Sequence, residues 1–244
     1  MNIIMTGHHG YIGEHLAPYL EEKGHVVYGY SGDIRTFNSR YQRYGFDMVI
    51  HLAALTGVRK SLKSPEEYWD VNVNGTRAVF DWCKEHDAKC LYASSSNAIE
   101  WWTNPYAMTK KVNEHDGKDF VGFRPHTVYP GRKDMLYDRM INNPESVKYI
   151  NGRHERDWTH IEDICSGICT LLENYDIIVG KVADIGTGKS TSLAEVAAIL
   201  MPWNTPEKRF ENPPHERVST CADTTILNEL GWTSENSIIK KEIR

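Results

Sequence analysis

The chain lacks the features that mark membrane, secreted and nucleic-acid-binding proteins. No apolar run reaches the roughly 18–20 residues of a membrane span, and the 244 residues carry a net charge of −5 with scattered basic residues. The five cysteines follow no disulfide or metal spacing, so we expect reduced thiols. Residues 1–7 lack the basic region of a signal peptide. We therefore expect a cytoplasmic protein with no membrane, nucleic-acid or metal partner.

Strands and helices alternate in the first half of the chain. Short apolar runs predict strands at Asn2–Met5, Val26–Tyr30, Met48–Leu52, Cys90–Ala93 and Val121–Arg124. Helical patterns cover Tyr11–Lys23, a long stretch from Pro65 to His86, and the segment around Tyr106. This alternation is typical of an α/β fold with a doubly wound parallel Rossmann sheet.

The rhythm changes after Pro125. We predict a dinucleotide-binding domain over residues 1–125 and a small C-terminal substrate lobe over residues 126–244, interleaved with the main sheet. The strand and helix near residues 160–186 are expected to return to that sheet. The stretch Met201–Pro214 contains four prolines and is predicted to be irregular.

A glycine-rich turn follows the first strand, with the sequence Gly7-His8-His9-Gly10-Tyr11-Ile12-Gly13. The first glycine permits a tight exit from the strand, the second lets the backbone approach a pyrophosphate, and the third allows close packing of helix on strand. The following helix N-terminus offers unpaired N–H groups to the phosphates. This arrangement predicts a dinucleotide site.

A second motif, Tyr106-Ala107-Met108-Thr109-Lys110, follows a run of three serines. Tyr106 and Lys110 are four residues apart and therefore share one helix face. A neighbouring ammonium group and the positive ring of an oxidised nicotinamide are expected to lower the tyrosine pKa. The phenolate could then take a proton from a hydroxyl while hydride leaves the same carbon.

With its Gly-x-x-Gly-x-x-Gly and Tyr-x-x-x-Lys motifs, the chain resembles the extended, nucleotide-sugar-modifying branch of the short-chain dehydrogenase/reductase superfamily. Further segments resemble that branch over nearly the whole chain. They are His51–Ser61, Asn72–Thr76, Arg124–Tyr129, Arg132–Met135, Arg156–Ile164, Ala222-Asp223 and Leu230–Trp232. The segment from Arg124 to Met135 resembles the substrate loop of uronate 4-epimerases most closely.

The resemblance implies a bound NAD or NADP. The implied contacts are Gly7, His9, Gly10, Tyr11, Ile12, Gly13, Ser31, Asp33, Ile34, Arg35, Leu52, Ala53, Ala54, Asn72, Tyr106 and Lys110. Ser31 stands where NAD-preferring folds carry an acidic residue. Asp33 could serve the adenine, while Ser31 and Arg35 could accept a 2′-phosphate, so the choice of cofactor stays open.

The resemblance also implies the catalytic and substrate residues. The catalytic set is Ser96, Tyr106 and Lys110, with Ser95 as the alternative to Ser96. The substrate, a nucleotide-diphosphate sugar, would contact Thr56, Arg59, Ser96, Thr127, Arg156 and Arg217. One diphosphate-binding arginine of the branch falls on Pro213, and Arg217 or Arg209 could replace it. A homodimer is the assembly that the resemblance suggests.

These features favour a nucleotide-sugar 4-epimerase. Sugar 4,6-dehydratases of the branch carry Thr-Asp-Glu where this chain has Ser96-Asn97-Ala98, so the acid and base for water elimination are missing. Two alternatives stay open: an NADP-dependent nucleotide-sugar reductase or dehydrogenase, which Ser31 favours, and a non-catalytic nucleotide-binding regulator. The sequence Gly186–Ser190 ends like a phosphate-binding P-loop but lacks its first glycine, so nucleoside-triphosphate hydrolysis is not expected.

Overall fold

The central sheet has six parallel strands, ordered β10-β5-β4-β3-β1-β2. A computed structural model describes residues 1–37, 45–133, 135–204, 206–211 and 214–238, so Asp134 and Pro213 of the sequence motifs lie outside it. The strands are β1 (Asn2–Thr6), β2 (Val26–Tyr30), β3 (Met48–His51), β4 (Lys89–Ala93), β5 (Val121–Pro125) and β10 (Val182–Ile185). The predicted doubly wound parallel sheet is confirmed.

Helices cover both faces of this sheet. They are α1 (Tyr11–Glu22), α2 (Val58–Ser61), α3 (Pro65–Trp69), α4 (Gly75–Glu85), α5 (Pro105–Asp116) and α7 (Ile161–Glu173). On one face Leu16 and Ile168 pack with strand residues into one core, and on the other face Val79 and Phe80 pack into a second. All four residues of β3 are buried, as expected for a strand covered on both sides.

The order of the strands reverses beside β1, which pairs with β2 on one side and β3 on the other. In doubly wound sheets ligands bind at such a reversal, outside the carboxyl ends of the strands. The glycine-rich turn follows β1, and residues Leu52–Leu55 follow β3 at the same edge. The fold therefore brings these two predicted cofactor segments together.

The smaller lobe is built from short strand pairs around a third core. Its elements are β6 (Thr127–Tyr129), α6 (Leu136–Asn142), β7 (Tyr149–Asn151), β8 (Glu155–Arg156), β9 (Trp158–His160), β11 (Thr191–Ser192), α8 (Leu193–Leu200) and β12 (Glu207–Arg209). Helix α9 (Thr225–Glu229) instead returns to the main sheet, where Leu227 packs into the core on the α7 side. The pairs are β6–β9, β7–β12 and β8–β11. Strand β12 lies inside the stretch predicted to be irregular. Its charged sequence gives no apolar alternation, and pairing with β7 supplies the order instead.

The long helix predicted from Pro65 to His86 is divided into α3, a π-helical segment Asp70–Asn74 and α4. Within this segment Asn72 is fully buried, and its side chain bonds the backbone of Leu55. Single π turns inside helices often occur at functional sites. Periodicity alone does not reveal such a turn, because the apolar spacing changes by only one residue.

The P-loop-like turn at Gly186–Ser190 binds a side chain of the protein itself. The carboxylate of the fully buried Asp157 accepts hydrogen bonds from the backbone N–H groups of Thr187, Gly188 and Ala222, at 2.8, 2.9 and 3.0 Å. These donors tie the turn to β9 and to the C-terminal segment. None of the helices in the described ranges is both long and apolar enough to cross a membrane.

Candidate active site

Two glycines of the cofactor turn are required by packing. Gly7 has a φ of +71°, and a Cβ atom there would lie 2.7 Å from the backbone nitrogen of Ala53. A Cβ atom at Gly13 would lie 2.5 Å from the carbonyl oxygen of Gly7. Both positions therefore exclude any side chain and hold the turn against β3 and α1.

Gly10 differs because the protein leaves its outer side open. It precedes α1 with φ −81° and ψ 165°, a conformation that any residue adopts, and it is exposed. A Cβ atom there would meet only the Gly7 carbonyl oxygen, at 3.1 Å. No side chain caps the helix N-terminus. Open space beside uncapped N–H groups fits the pyrophosphate of a dinucleotide.

The two histidines of the turn are in contact but differ in exposure. His8 lies over Gly29 of β2, and its ring is 3.8 Å from that of the exposed His9. Tyr11 and Ile12 are half-buried in the first turn of α1, and the Tyr11 hydroxyl lies beside the backbone of Gly131. The turn thus reaches from β2 to the predicted substrate loop.

At the end of β2, Ser31 is exposed and is followed by Asp33, which caps a short 3₁₀ turn. Arg35 pairs with Asp33 and also with Asp70, at 2.7 Å. These carboxylates raise the pKa of Arg35 and occupy its guanidinium. Ile34 is buried against Gly75 of α4. The structure therefore does not support Arg35 as an unoccupied receptor for a 2′-phosphate.

Helix α5 positions the tyrosine and lysine of the second motif. Asn104 caps the helix by accepting a hydrogen bond from Ala107 N at 2.9 Å, and Pro105 occupies the first helical position. Tyr106 and Lys110 follow one turn apart, 8% and 4% exposed. Lys110 Nζ donates to the carbonyl oxygen of Ala93 at the end of β4, at 2.6 Å.

The serine beside Tyr106 is Ser95. Its hydroxyl forms a hydrogen bond with Tyr106 and also accepts one from the backbone of Asn97 at 3.2 Å. Ser96 instead presents its carbonyl oxygen to Arg217 Nη1 at 2.7 Å. Which of the two serines acts as hydroxyl partner stays a prediction, and the contact with Tyr106 favours Ser95, the alternative to Ser96.

Burial disfavours the charged forms of both groups. It lowers the pKa of Lys110 to about 8, against the opposing attraction of Glu114. It also raises the pKa of Tyr106, which the Ser95 hydrogen bond partly offsets. The expected lowering of the tyrosine pKa depends on the positive ring of a bound nicotinamide as well as on Lys110, whose Nζ donates to the Ala93 carbonyl oxygen.

Glu114 supports the motif from the next turn of α5 and was missed in the sequence. It accepts hydrogen bonds from the Ser94 hydroxyl at 2.6 Å and from Arg124 at 2.6 and 2.8 Å. Arg124 also pairs with Asp184. Glu114 lies four residues after Lys110 and therefore on the same helix face. This spacing is the signal by which the sequence could have identified Glu114.

Asn72 organises the segment after β3. Its amide accepts a hydrogen bond from Leu55 N at 2.8 Å and donates to Leu55 O at 3.0 Å and Thr109 Oγ1 at 3.2 Å. Ala53 N donates to Thr6 Oγ1 at 3.2 Å, and Leu52 and Ala54 are half-buried beside it. The side chain of Asn72, a predicted cofactor residue, thus fixes the segment after β3 by bonding the backbone of Leu55.

A cavity of about 520 Å³ opens in the smaller lobe. Its lining includes Arg59, Thr127, Tyr149, His154, Arg156 and Glu216. Burial lowers the pKa of Arg156, whose Nη1 donates to the carbonyl oxygens of Glu155 and Val218 at 2.7 and 3.0 Å. Three predicted substrate residues, Arg59, Thr127 and Arg156, therefore share one cavity.

The other predicted substrate residues lie around this cavity. Thr56 is exposed, and its hydroxyl accepts a hydrogen bond from Arg132 at 3.3 Å. Arg217 is buried between Ser96 O and the carboxylate of Glu100, 3.1 Å away. Arg209 lies over the Tyr149 ring, 4.0 Å from its centroid. Arg217 thus contacts the segment Ser96–Glu100, here called the catalytic segment, and is not among the residues that line the cavity.

A family model described as the NAD dependent epimerase/dehydratase family matches residues 3–186. The chain belongs to this family. Among its relatives, a UDP-glucuronate 4-epimerase of Thermodesulfobacterium geofontis is 29% identical, over 81% of this chain and 79% of the relative. Protein CapI of Staphylococcus aureus is 30% identical, over 71% and 70%.

Solved structures agree with this membership. UDP-glucuronic acid 4-epimerase from Bacillus cereus, in complex with UDP-glucuronic acid and NAD, has a TM-score of 0.87 and 25% identity, covering 99% of this chain and 96% of the other. A dTDP-glucose 4,6-dehydratase from Streptomyces venezuelae has a TM-score of 0.83 but 20% identity, over 97% and 93%, which shows the shared fold alone.

Membership confirms the expected family and the expected dinucleotide cofactor, NAD. The residues present fit NAD: Gly10 leaves room for a pyrophosphate, and the helix behind it is uncapped. The guanidinium of Arg35 is paired with two exposed carboxylates, Asp33 and Asp70. The roles of individual residues in binding and catalysis are proposals, which follow.

Proposed function

We propose that this family member is an NAD-dependent nucleotide-sugar 4-epimerase acting on UDP-sugars, with UDP-glucuronate as the first candidate. The observation that carries the proposal is the buried Tyr106, hydrogen-bonded to Ser95 and one turn from Lys110. An arginine-lined cavity completes the site. The named relatives that act on UDP-glucuronate support the choice of substrate.

Tyr106 is the base in this proposal. It takes the proton of the sugar C4 hydroxyl and returns one after the sugar has turned over. Bound NAD supplies the acceptor and donor of the C4 hydride. Ser95 holds the phenol in place, and Lys110 supplies positive charge beside it. Since the same hydride leaves and returns, no net oxidation takes place.

The nucleotide diphosphate has to stay fixed while the keto-sugar rotates. Arg156 is the proposed anchor, because it is half-buried and lines the cavity. Arg59 and Thr127 line the same cavity, and the Thr56 hydroxyl accepts a hydrogen bond from Arg132. The proposed division of the chain follows: residues 1–125 hold the cofactor, and most of residues 126–244 hold the substrate. A homodimer remains a prediction.

The first residues of the catalytic segment favour an epimerase over a dehydratase. Asn97 and Ala98 replace the acid and base that elimination of water needs. The nearest carboxylate in the segment, Glu100, is paired with Arg217. The reductase alternative is favoured by Ser31, which lacks the carboxylate typical of NAD sites.

The test incubates purified protein with UDP-glucuronate and UDP-glucose, with and without added NADH or NADPH, and separates the C4 epimers by chromatography. An epimerase forms product without added reductant and without a net change in NAD(P)H absorbance. Stoichiometric consumption of NADPH with no epimer formed would contradict the proposal and favour the reductase.

A further inference from the structure

Five charged residues cluster between the cavity and the catalytic segment. Arg59, Arg156 and Arg217 provide three guanidinium groups, while Glu100 and Glu216 provide two carboxylates. The charges of Glu216, Arg217 and Glu100 all act on Arg156. Guanidinium groups in this arrangement suit a diphosphate. This reasoning rests on the proposed function, because it assumes that the substrate carries that group.

The two carboxylates have different surroundings. Glu100 pairs with the buried Arg217, which is also fixed to the carbonyl oxygen of Ser96. Glu216 lines the cavity, and its Oε1 lies 3.0 Å from Arg59 Nε. Its Oε2 lies 4.0 Å from His154 Nδ1. The Arg59 side chain is 81% exposed and that of Glu216 is 22% exposed. Only the Glu216 pair therefore opens to the cavity.

We infer that Glu216 is an affinity-determining residue that occupies the diphosphate-binding arginines until the substrate displaces it. An incoming diphosphate and the Glu216 carboxylate compete for the same donors on Arg59, and both are attracted by the positive charge of Arg156. An exposed ion pair of this kind is weak, so a diphosphate can displace the carboxylate. After displacement, repulsion between the negative Glu216 carboxylate and the negative diphosphate lowers substrate affinity.

The neighbouring bonds explain how Glu216 can move without disturbing the catalytic segment. His215 and Arg217 on either side are held: His215 O accepts a hydrogen bond from Asn104 Nδ2 at 3.2 Å, and Arg217 donates to Ser96 O at 2.7 Å. The His215 carbonyl group and the Arg217 side chain are thus held on either side of Glu216. Exchange of the carboxylate for a diphosphate needs only rotation of the Glu216 and Arg59 side chains.

The experiment titrates the NAD-saturated protein with inorganic pyrophosphate and, separately, with UDP. Excess NAD keeps the glycine turn filled, so the pyrophosphate reports on the arginine cluster. Glu216→Gln should bind both ligands more tightly, on the order of tenfold. Glu216→Asp keeps the charge and should resemble the parent. Glu229→Gln, an equal change of charge on exposed helix α9, should leave both affinities unchanged.

The outcomes separate this inference from the proposed function. Tighter binding of pyrophosphate to Glu216→Gln supports the inference, whether or not UDP binds. Pyrophosphate that binds Glu216→Gln equally, more weakly or not detectably overturns it. Failure of UDP to bind any of the proteins counts against a uridine-nucleotide substrate alone. Retained NAD affinity in Glu216→Gln shows that the variant is folded.

Discussion

Tyr106 and Lys110 are both buried, and at the scale of single residues burial raises the cost of ionising either group. The hydrogen bond from Ser95 is the feature that favours the phenolate, while Glu114 favours the ammonium. The charge state of this proposed catalytic pair thus depends on its neighbours.

Tyr106→Phe should lose about 10²–10⁴-fold in turnover, because only the proton acceptor is removed. Affinity for NAD, measured by calorimetry, should stay close to that of the parent. Tyr68→Phe is the matched control, since its ring lies 6.3 Å from that of Tyr106 and its phenol bonds only backbone carbonyl groups. Survival of activity within a few-fold in Tyr106→Phe would exclude it as the base.

The pH dependence of stability should reveal the lowered pKa of Lys110. Its folded-state pKa of about 8 lies below the usual lysine value, so the unfolded chain binds more protons above pH 8. The parent should therefore gain stability relative to Lys110→Met as the pH rises, by about 2 kcal/mol between about pH 7.5 and 9.5. Urea denaturation of both proteins measures the difference. A difference that does not change with pH would show that Lys110 is not desolvated.

At the scale of the elements, the glycine turn and α1 show what spacing can predict. Three glycines three residues apart, between a strand and a helix, were enough to place the turn. The spacing did not separate their roles, because those depend on contacts in three dimensions: a Cβ atom at Gly7 would meet Ala53, and one at Gly13 would meet the carbonyl oxygen of Gly7. Gly7 and Gly13 maintain the packing, whereas Gly10 faces open space.

Gly10→Val should therefore fold and fail to bind NAD. Its φ and ψ suit a β-branched residue, while the added methyl groups fill the space proposed for the pyrophosphate. Calorimetry should show at least a tenfold loss of NAD affinity, on the order of one lost charge-assisted contact. Gly13→Ala is the contrasting variant and should lower the melting temperature, because its Cβ meets backbone atoms at 2.5 Å. Unchanged NAD affinity in folded Gly10→Val would show that the pyrophosphate does not bind at this turn.

At the scale of the whole molecule, the sequence predicted the parallel sheet, the glycine-rich turn and the helix that carries Tyr106 and Lys110. It did not predict the contacts between distant segments. Strand runs and glycine spacing are local signals, and the parallel sheet follows from them. The hydrogen bond from Arg217 to Ser96 O joins residues 121 positions apart, and no local pattern encodes it. The pairing of β7 with β12 and the choice of Ser95 over Ser96 depend on long-range packing in the same way.

The central claim is that one hydride leaves and returns to the same sugar carbon. The most direct measurement uses UDP-glucuronate labelled with deuterium at C4, incubated with the NAD-bound protein without added reductant, and follows the products by NMR. The account predicts a C4 epimer that retains deuterium at C4. Deuterium found at another sugar carbon, lost to released NADH or solvent, or left only in unchanged substrate would contradict it.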